Sequence, residues 1–227
     1  MSGSSSFSLP RTKTIESGSM GLDLVYTPDN AHKVIIVFMH GLGGTSRWAW
    51  PKNRDPELFW PLIFLPLESD ICLARILTFG YNAGFHKTGN ISTSVFYFAK
   101  ELLFDLKYGK DAELDDLDMG RVPLIFAVHS LGGLVVREAY MQGQNDPEYE
   151  AIIKAITAIR FLATPHRGST LAQTLNRILD TTLFIKSKQY VADLTRNPLT
   201  LQNLNDQFRH IAPKLDIVSF TRHYRPL

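Results

Sequence analysis

Only one cysteine, Cys72, occurs in the 227 residues, so no disulfide can close within this chain. A lone thiol fits a reducing compartment and points to an intracellular protein. No apolar run approaches the roughly twenty residues that a membrane-crossing helix needs. Neither sign of charge dominates: 24 Lys and Arg stand against 22 Asp and Glu, a net +2. That balance lacks the strongly basic surface that nucleic acid would need, and it gives no reason for an acidic partner. The N-terminus, Ser2-Gly3-Ser4-Ser5-Ser6-Phe7-Ser8, lacks the charged-then-apolar pattern of a secretory signal. Residues 1–19 read as a flexible tail, and 20–227 as one domain with a sizeable core.

Within that domain, strand-like runs alternate with helical ones. Leu22–Tyr26 reads as an early edge strand ended by Thr27-Pro28-Asp29-Asn30. Val34–Met39 is apolar at every position, as a strand buried on both faces must be. Phe59-Trp60-Pro61-Leu62-Ile63 opens a short helix, Ala74–Phe79 is a strand, and Ser92 to about Tyr108 is a helix. The aromatics of that helix read as core. The acidic run 111–118 reads as a solvated connector, since it lacks the glycine and terminal glutamate of a calcium loop. A strand then leads to His129-Ser130, followed by a helix to about Gln142. Ile152 to Ala158 reads as a helical turn or two, Arg160–Ala163 as a strand, Leu171–Leu179 and Leu199–Ile211 as helices, and Leu215–Phe220 as a last strand. This order predicts an α/β fold: a mostly parallel sheet with right-handed crossovers and helices on both faces. Such sheets bind ligands beyond the carboxyl ends of their strands. Three polar loops converge there: His40-Gly41-Leu42-Gly43-Gly44, Ser130-Leu131-Gly132-Gly133 and Thr164-Pro165-His166.

A strand, a sharp turn with serine at its tip and a helix make a nucleophile elbow. A serine hydroxyl needs a base, and its tetrahedral intermediate needs oxyanion donors. Here the donors would be the backbone N–H groups of Leu131 and Leu42. The competing reading makes Ser130 a helix cap. Trp48, Trp50, Phe59 and Trp60 lie near the oxyanion loop; they read either as packing of the intervening excursion against the sheet or as a lid. No metal and no cofactor is called for.

The runs Phe38–Gly44, Phe59-Trp60, Arg75–Ala83, His129–Val135 and Phe161–Ser169, in this order, resemble the lipase/esterase-like α/β-hydrolases of the serine-active-site-containing protein family. Similar domains stand at the N-terminus of fungal receptors that carry NACHT or NB-ARC modules. The resemblance covers about residues 20 to 220. It implies an α/β-hydrolase-type sheet and acyl-ester or lipid substrates. It also implies association with mitochondria or the endoplasmic reticulum, with peripheral membrane contact. His40, Gly41, Gly43, Thr164 and Pro165 would line the substrate.

Three departures set further expectations. Val128 stands where the elbow usually has a small residue, so strain is expected there. The family's acid follows the last strand, yet here that strand is followed by Thr221-Arg222-His223-Tyr224-Arg225-Pro226, and Asp216 precedes it at the opposite sheet end. The catalytic histidine should come after the acid, so a C-terminal strand and histidine loop are expected to be missing. Among the histidines present, His166 and His223 are the candidates for the base; His40 reads as a brace for the oxyanion loop, and His129 as pointing away from the hydroxyl. A catalytically impaired relative, acting as a binding or signalling module, is the alternative to an esterase.

Overall fold

The computed structural model describes residues 18–83, 91–110, 115–117, 119–164 and 198–220. Six strands form one sheet: β1 (Gly21–Tyr26), β2 (Val34–Met39), β3 (Ala74–Gly80), β4 (Leu124–His129), β5 (Ile156–Leu162) and β6 (Asp216–Phe220). Their order is β1-β3-β2-β4-β5-β6. β1 runs antiparallel to β3, and every other pairing is parallel. The helices are α1 (Trp60–Phe64), α2 (Ile91–Tyr108), α3 (Leu131–Gln144), α4 (Glu150–Ala155) and α5 (Pro198–Ile211).

The unbroken apolar run of β2 has the expected cause. Ile35, Val37 and Met39 join the larger core, with Leu102 and Leu106 of α2, Leu134 and Val135 of α3, and Leu204 and Phe208 of α5. Ile36 and Phe38 face the other way, into a smaller core with Trp50 and Phe59. Side chains alternate between faces along a strand, so a strand covered on both sides favours apolar residues at every position, as in β2. Phe38 meets Trp50 edge-on at 5.0 Å and Trp60 at 5.4 Å. Trp50 and Phe59 are buried and Trp60 partly so, so these three are packing and the lid expectation does not hold for them. Trp48 alone stands out, at 39% exposure.

Two expectations are corrected here. Ile156-Thr157-Ala158 belongs to β5 and not to a helix. The preceding helix starts earlier, at Glu150, behind the turn in which Asp146 accepts the Glu148 N–H. Ile156 caps that helix with extended backbone and pairs with Leu124, so β-branched residues pass directly from cap to strand. Of the α2 aromatics only Phe98 packs against the core, with its ring 4.7 Å from that of Tyr81; Phe96, Tyr97, Phe104 and Tyr108 are exposed, while the aliphatic Val95, Leu102, Leu103 and Leu106 are buried. Lys100 sits 4.8 Å over the Phe96 ring. In the acidic connector, exposed Asp116 pairs with Lys110 at 3.4 Å; residues 111–114 and 118 lie outside the described residues, as do Leu171–Leu179. Ser19, counted with the tail, is already tied in: its carbonyl accepts from Ser46 Oγ at 3.1 Å. No helix among the described residues is long and apolar enough to cross a membrane.

Candidate active site

β4 ends at His129, and the backbone then turns sharply. Ser130 has φ 51 and ψ −115, in the half of the map that L-residues avoid, and it carries α3 as its N-cap. Holding a non-glycine residue there costs roughly 1–3 kcal/mol. Its surroundings enforce it: Ser130 N–H donates to the Leu162 carbonyl at 2.9 Å, and the Ser130 carbonyl accepts from Gly133 N–H at 3.1 Å. The side chain makes no capping hydrogen bond, so the cap reading fails: Ser130 occupies the cap position without doing a cap's work. The residue is 2% exposed.

The loop after β2 lies directly on this turn. A Cβ built at Gly41 would stand 2.9 Å from Ser130 Cβ and 2.7 Å from His129 Nδ1. Only glycine admits that approach. The two loops that the sequence placed at one sheet end are therefore in contact through Gly41 and Ser130.

His40 orders the loop. It is fully buried. Its Nε2 accepts the Tyr81 backbone N–H at 3.3 Å, so the ring proton belongs on Nδ1, which donates to the Gly41 carbonyl at 2.8 Å. Tyr81 Oη donates to the His40 carbonyl at 2.7 Å, and the two rings stack at 4.3 Å. Burial first, with nearby His129 adding to it against two backbone hydrogen bonds, lowers the His40 pKa to about 4. The ring is thus neutral near pH 7. Both nitrogens are engaged, so His40 is a brace and has none left for a serine proton.

This brace fixes a peptide plane. The Gly41 carbonyl also accepts Gly44 N–H at 3.1 Å. In a trans peptide the carbonyl and the following N–H point opposite ways, so the Leu42 N–H is turned away from His40. Among the described residues it has no acceptor. The Leu131 N–H, at the first position of α3, has none inside its helix. Neither the Leu42 nor the Leu131 N–H has an acceptor among the described residues.

Thr164, just past β5, is 3% exposed, and its Oγ1 has no partner among the described residues. Gly43 faces open space, with its N–H on the Ala83 carbonyl at 3.3 Å. Pro165, His166 and His223 lie outside the described residues. His129 is exposed beside Gly41. Asp216 opens β6 at the end remote from Ser130, as expected, and pairs with Arg160 at 2.6 Å, which holds its carboxyl below the usual range. The strain expected at Val128 is absent: it is fully buried and paired in register with Met39 and Phe161. The positive φ falls instead on Ser130 and on Ala163, at 51 each. Two features escaped the sequence reading. Tyr81 clamps His40, and only its place directly after a strand hinted at it. The bend at Ala163 had no signal, since alanine seldom marks a positive φ.

Residues 85–215, more than half of the chain, match the family model described as "Putative serine esterase (DUF676)". The chain is 26% identical over 203 residues to Protein SERAC1 of Danio rerio, covering 79% of this chain and 28% of that protein. To Protein SERAC1 of Homo sapiens it is 24% identical over 209 residues, covering 82% and 29%. It thus spans less than a third of the length of these relatives. Among solved structures, a lipase in its open form aligns with a TM-score of 0.44 and 15% identity, over 86% of this chain and 73% of that one. Esterase B from Lactobacillus rhamnosis aligns with a TM-score of 0.42 and 12% identity, over 86% and 67%. By the family match, across the stretch that holds Ser130, this chain belongs to the family described as "Putative serine esterase (DUF676)".

Proposed function

We infer that the protein is a carboxylic-ester hydrolase in which Ser130 is the nucleophile. One observation carries the reading: Ser130 is held in a strained turn without a capping bond, against Gly41 of a loop whose Leu42 N–H has no acceptor among the described residues. Ser130 Oγ attacks the ester carbonyl carbon while its proton passes to a histidine. His166 and His223 are the candidates for that base. The Leu42 and Leu131 N–H groups receive the oxyanion, and losing one such donor typically costs roughly 2.7–4 kcal/mol of barrier. The alcohol leaves with the proton, and water then releases the acyl group as the acid. His40, Gly41, Gly43, Thr164 and Pro165 line the substrate, an acyl ester or lipid. Peripheral contact with a mitochondrial or endoplasmic-reticulum membrane belongs to the same reading through the family resemblance, and flotation with vesicles tests it.

A fluorophosphonate probe tests the nucleophile. Wild type is expected to label and Ser130→Ala not to. Equal labelling of the two folded proteins overturns the assignment. A second reading is a binding or signalling module without turnover, motivated by the last strand being followed by Thr221-Arg222-His223-Tyr224-Arg225-Pro226, with no carboxylate where the family's acid stands. Ser130-dependent ester turnover would exclude it.

A further inference from the structure

The first turn of α3 rests on two different strand ends. A Cβ at Gly132 would stand 2.7 Å from the His40 carbonyl, on the β2 side. A Cβ at Gly133 would stand 2.4 Å from Thr164 Oγ1, on the β5 side. Thr164 therefore flanks the serine turn across from the oxyanion loop. It is brought there by the bend at Ala163, φ 51, whose N–H is held by the Phe220 carbonyl at 2.8 Å. Its hydroxyl is buried and has no hydrogen-bond partner among the described residues. A buried hydroxyl left unpaired costs roughly 1–3 kcal/mol, and a positive φ at alanine adds strain. Two costs at one spot beside a helix N-terminus, where N–H groups already favour oxygen ligands, mark a donor kept for something that arrives from outside.

We propose that Thr164 Oγ1 hydrogen-bonds an oxygen of the substrate close to the scissile carbonyl, so that the preferred esters carry an ether, hydroxyl or carbonyl oxygen on the acyl or the alcohol arm where plain alkyl esters carry a methylene. This rests on the hydrolase reading and names the substrate class for that site. A site built to pair a substrate oxygen discriminates against the analogue lacking it far more strongly than a greasy pocket discriminates by size.

The test uses the full chain with Thr164→Val, which keeps the shape and drops the hydroxyl, and Thr164→Ser, which keeps the hydroxyl. Two ester pairs exchange one methylene for oxygen. The acyl arm is probed by 4-nitrophenyl methoxyacetate against 4-nitrophenyl butyrate, and the alcohol arm by 2-methoxyethyl acetate against butyl acetate. Thr164→Val is expected to lower kcat/KM roughly tenfold to hundredfold more on the oxygen-bearing member of one pair than on its hydrocarbon twin. The pair affected identifies the arm. Thr164→Ser restores the preference, and the Tm of Thr164→Val equals or exceeds that of wild type. No loss on any ester, equal loss on all four, or a clear fall in Tm overturns the proposal. Should Ser130→Ala hydrolyse these esters as well as wild type, the hydrolase reading fails, and Thr164 is judged by binding. In that case the Gly133 amide shift is followed on titration with methoxyacetate against butyrate and 2-methoxyethanol against butanol. A preference for one oxygen-bearing ligand that Thr164→Val abolishes supports the proposal, and equal responses overturn it.

Discussion

Tyr81 grips His40 at two points: its backbone N–H donates to Nε2 at 3.3 Å and its hydroxyl donates to the His40 carbonyl at 2.7 Å, with the rings stacked between. One residue at the end of β3 thereby sets the tautomer of another at the end of β2. The orientation of the Gly41–Leu42 peptide follows from that tautomer.

This clamp has a pH signature. The folded pKa of His40, about 4, lies below its ordinary 6.5, so between those values the unfolded chain binds the extra proton. The stability from burying neutral His40 is fully present above about pH 6.5 and is lost as pH falls towards 4, amounting to on the order of 3 kcal/mol. Denaturant unfolding from pH 7 to 4 should show a steeper decline for wild type than for His40→Gln. Parallel declines would refute the assignment.

Tyr81→Phe keeps the stack and removes one hydroxyl. It leaves the buried His40 carbonyl short of a donor, so the expected cost is roughly 1–3 kcal/mol, read by denaturant unfolding at pH 7. A loss below about 0.5 kcal/mol would mean that water or another donor replaces the hydroxyl.

Gly41→Ala forces a methyl group into Ser130 and His129. Overpacking of this kind costs about 1–3 kcal/mol, and the serine turn absorbs the displacement. Fluorophosphonate labelling of Ser130 should slow at least about tenfold, as misplacement of about 1 Å costs more than that in a working site. Unchanged labelling would separate this loop from the serine.

Val128→Gly restores the small residue usual at this elbow, yet activity should not improve. The side chain is fully buried in the larger core, so its loss costs about 2–4 kcal/mol, read as a fall in Tm. A rise in labelling rate with unchanged Tm would show that Val128 strains the turn after all.

Arg137, inside α3, lies 4.5 Å from the Phe161 ring and 5.5 Å from that of Phe208, and its guanidinium donates to Asn205. Burial lowers its pKa to about 10, which leaves it charged at neutral pH. Arg137→Ala removes the common anchor between β5 and α5. Amide exchange should accelerate in α5 before it does in α2; uniform acceleration would deny the anchor.

The alternation of strands and helices and the meeting of the His40–Gly44 and Ser130 loops at one sheet end were legible because unbroken apolar runs and paired glycines are local signals. The all-apolar β2 admitted one placement, and the His-Gly and Ser-Leu-Gly-Gly runs each had to follow a strand. Phe96, Tyr97, Phe104 and Tyr108 of α2 misled, since helical spacing tells which residues share a stripe but not which stripe meets the sheet. Ile156 misled because a short apolar run suits helix and strand alike. The Ala163 bend and the tautomer of His40 were beyond reach. Both are set by partners distant in the chain, Phe220 for the first and Tyr81 for the second.

The bond from Ser130 N–H to the Leu162 carbonyl, beside that from Ala163 N–H to Phe220, ties the turn to strands made later in the chain. A contorted backbone cannot persist before its restraints exist. The turn at Ser130 can therefore close only after β5 has docked, and the bend at Ala163 only after β6 has, so both wait on pairings between segments far apart in the chain.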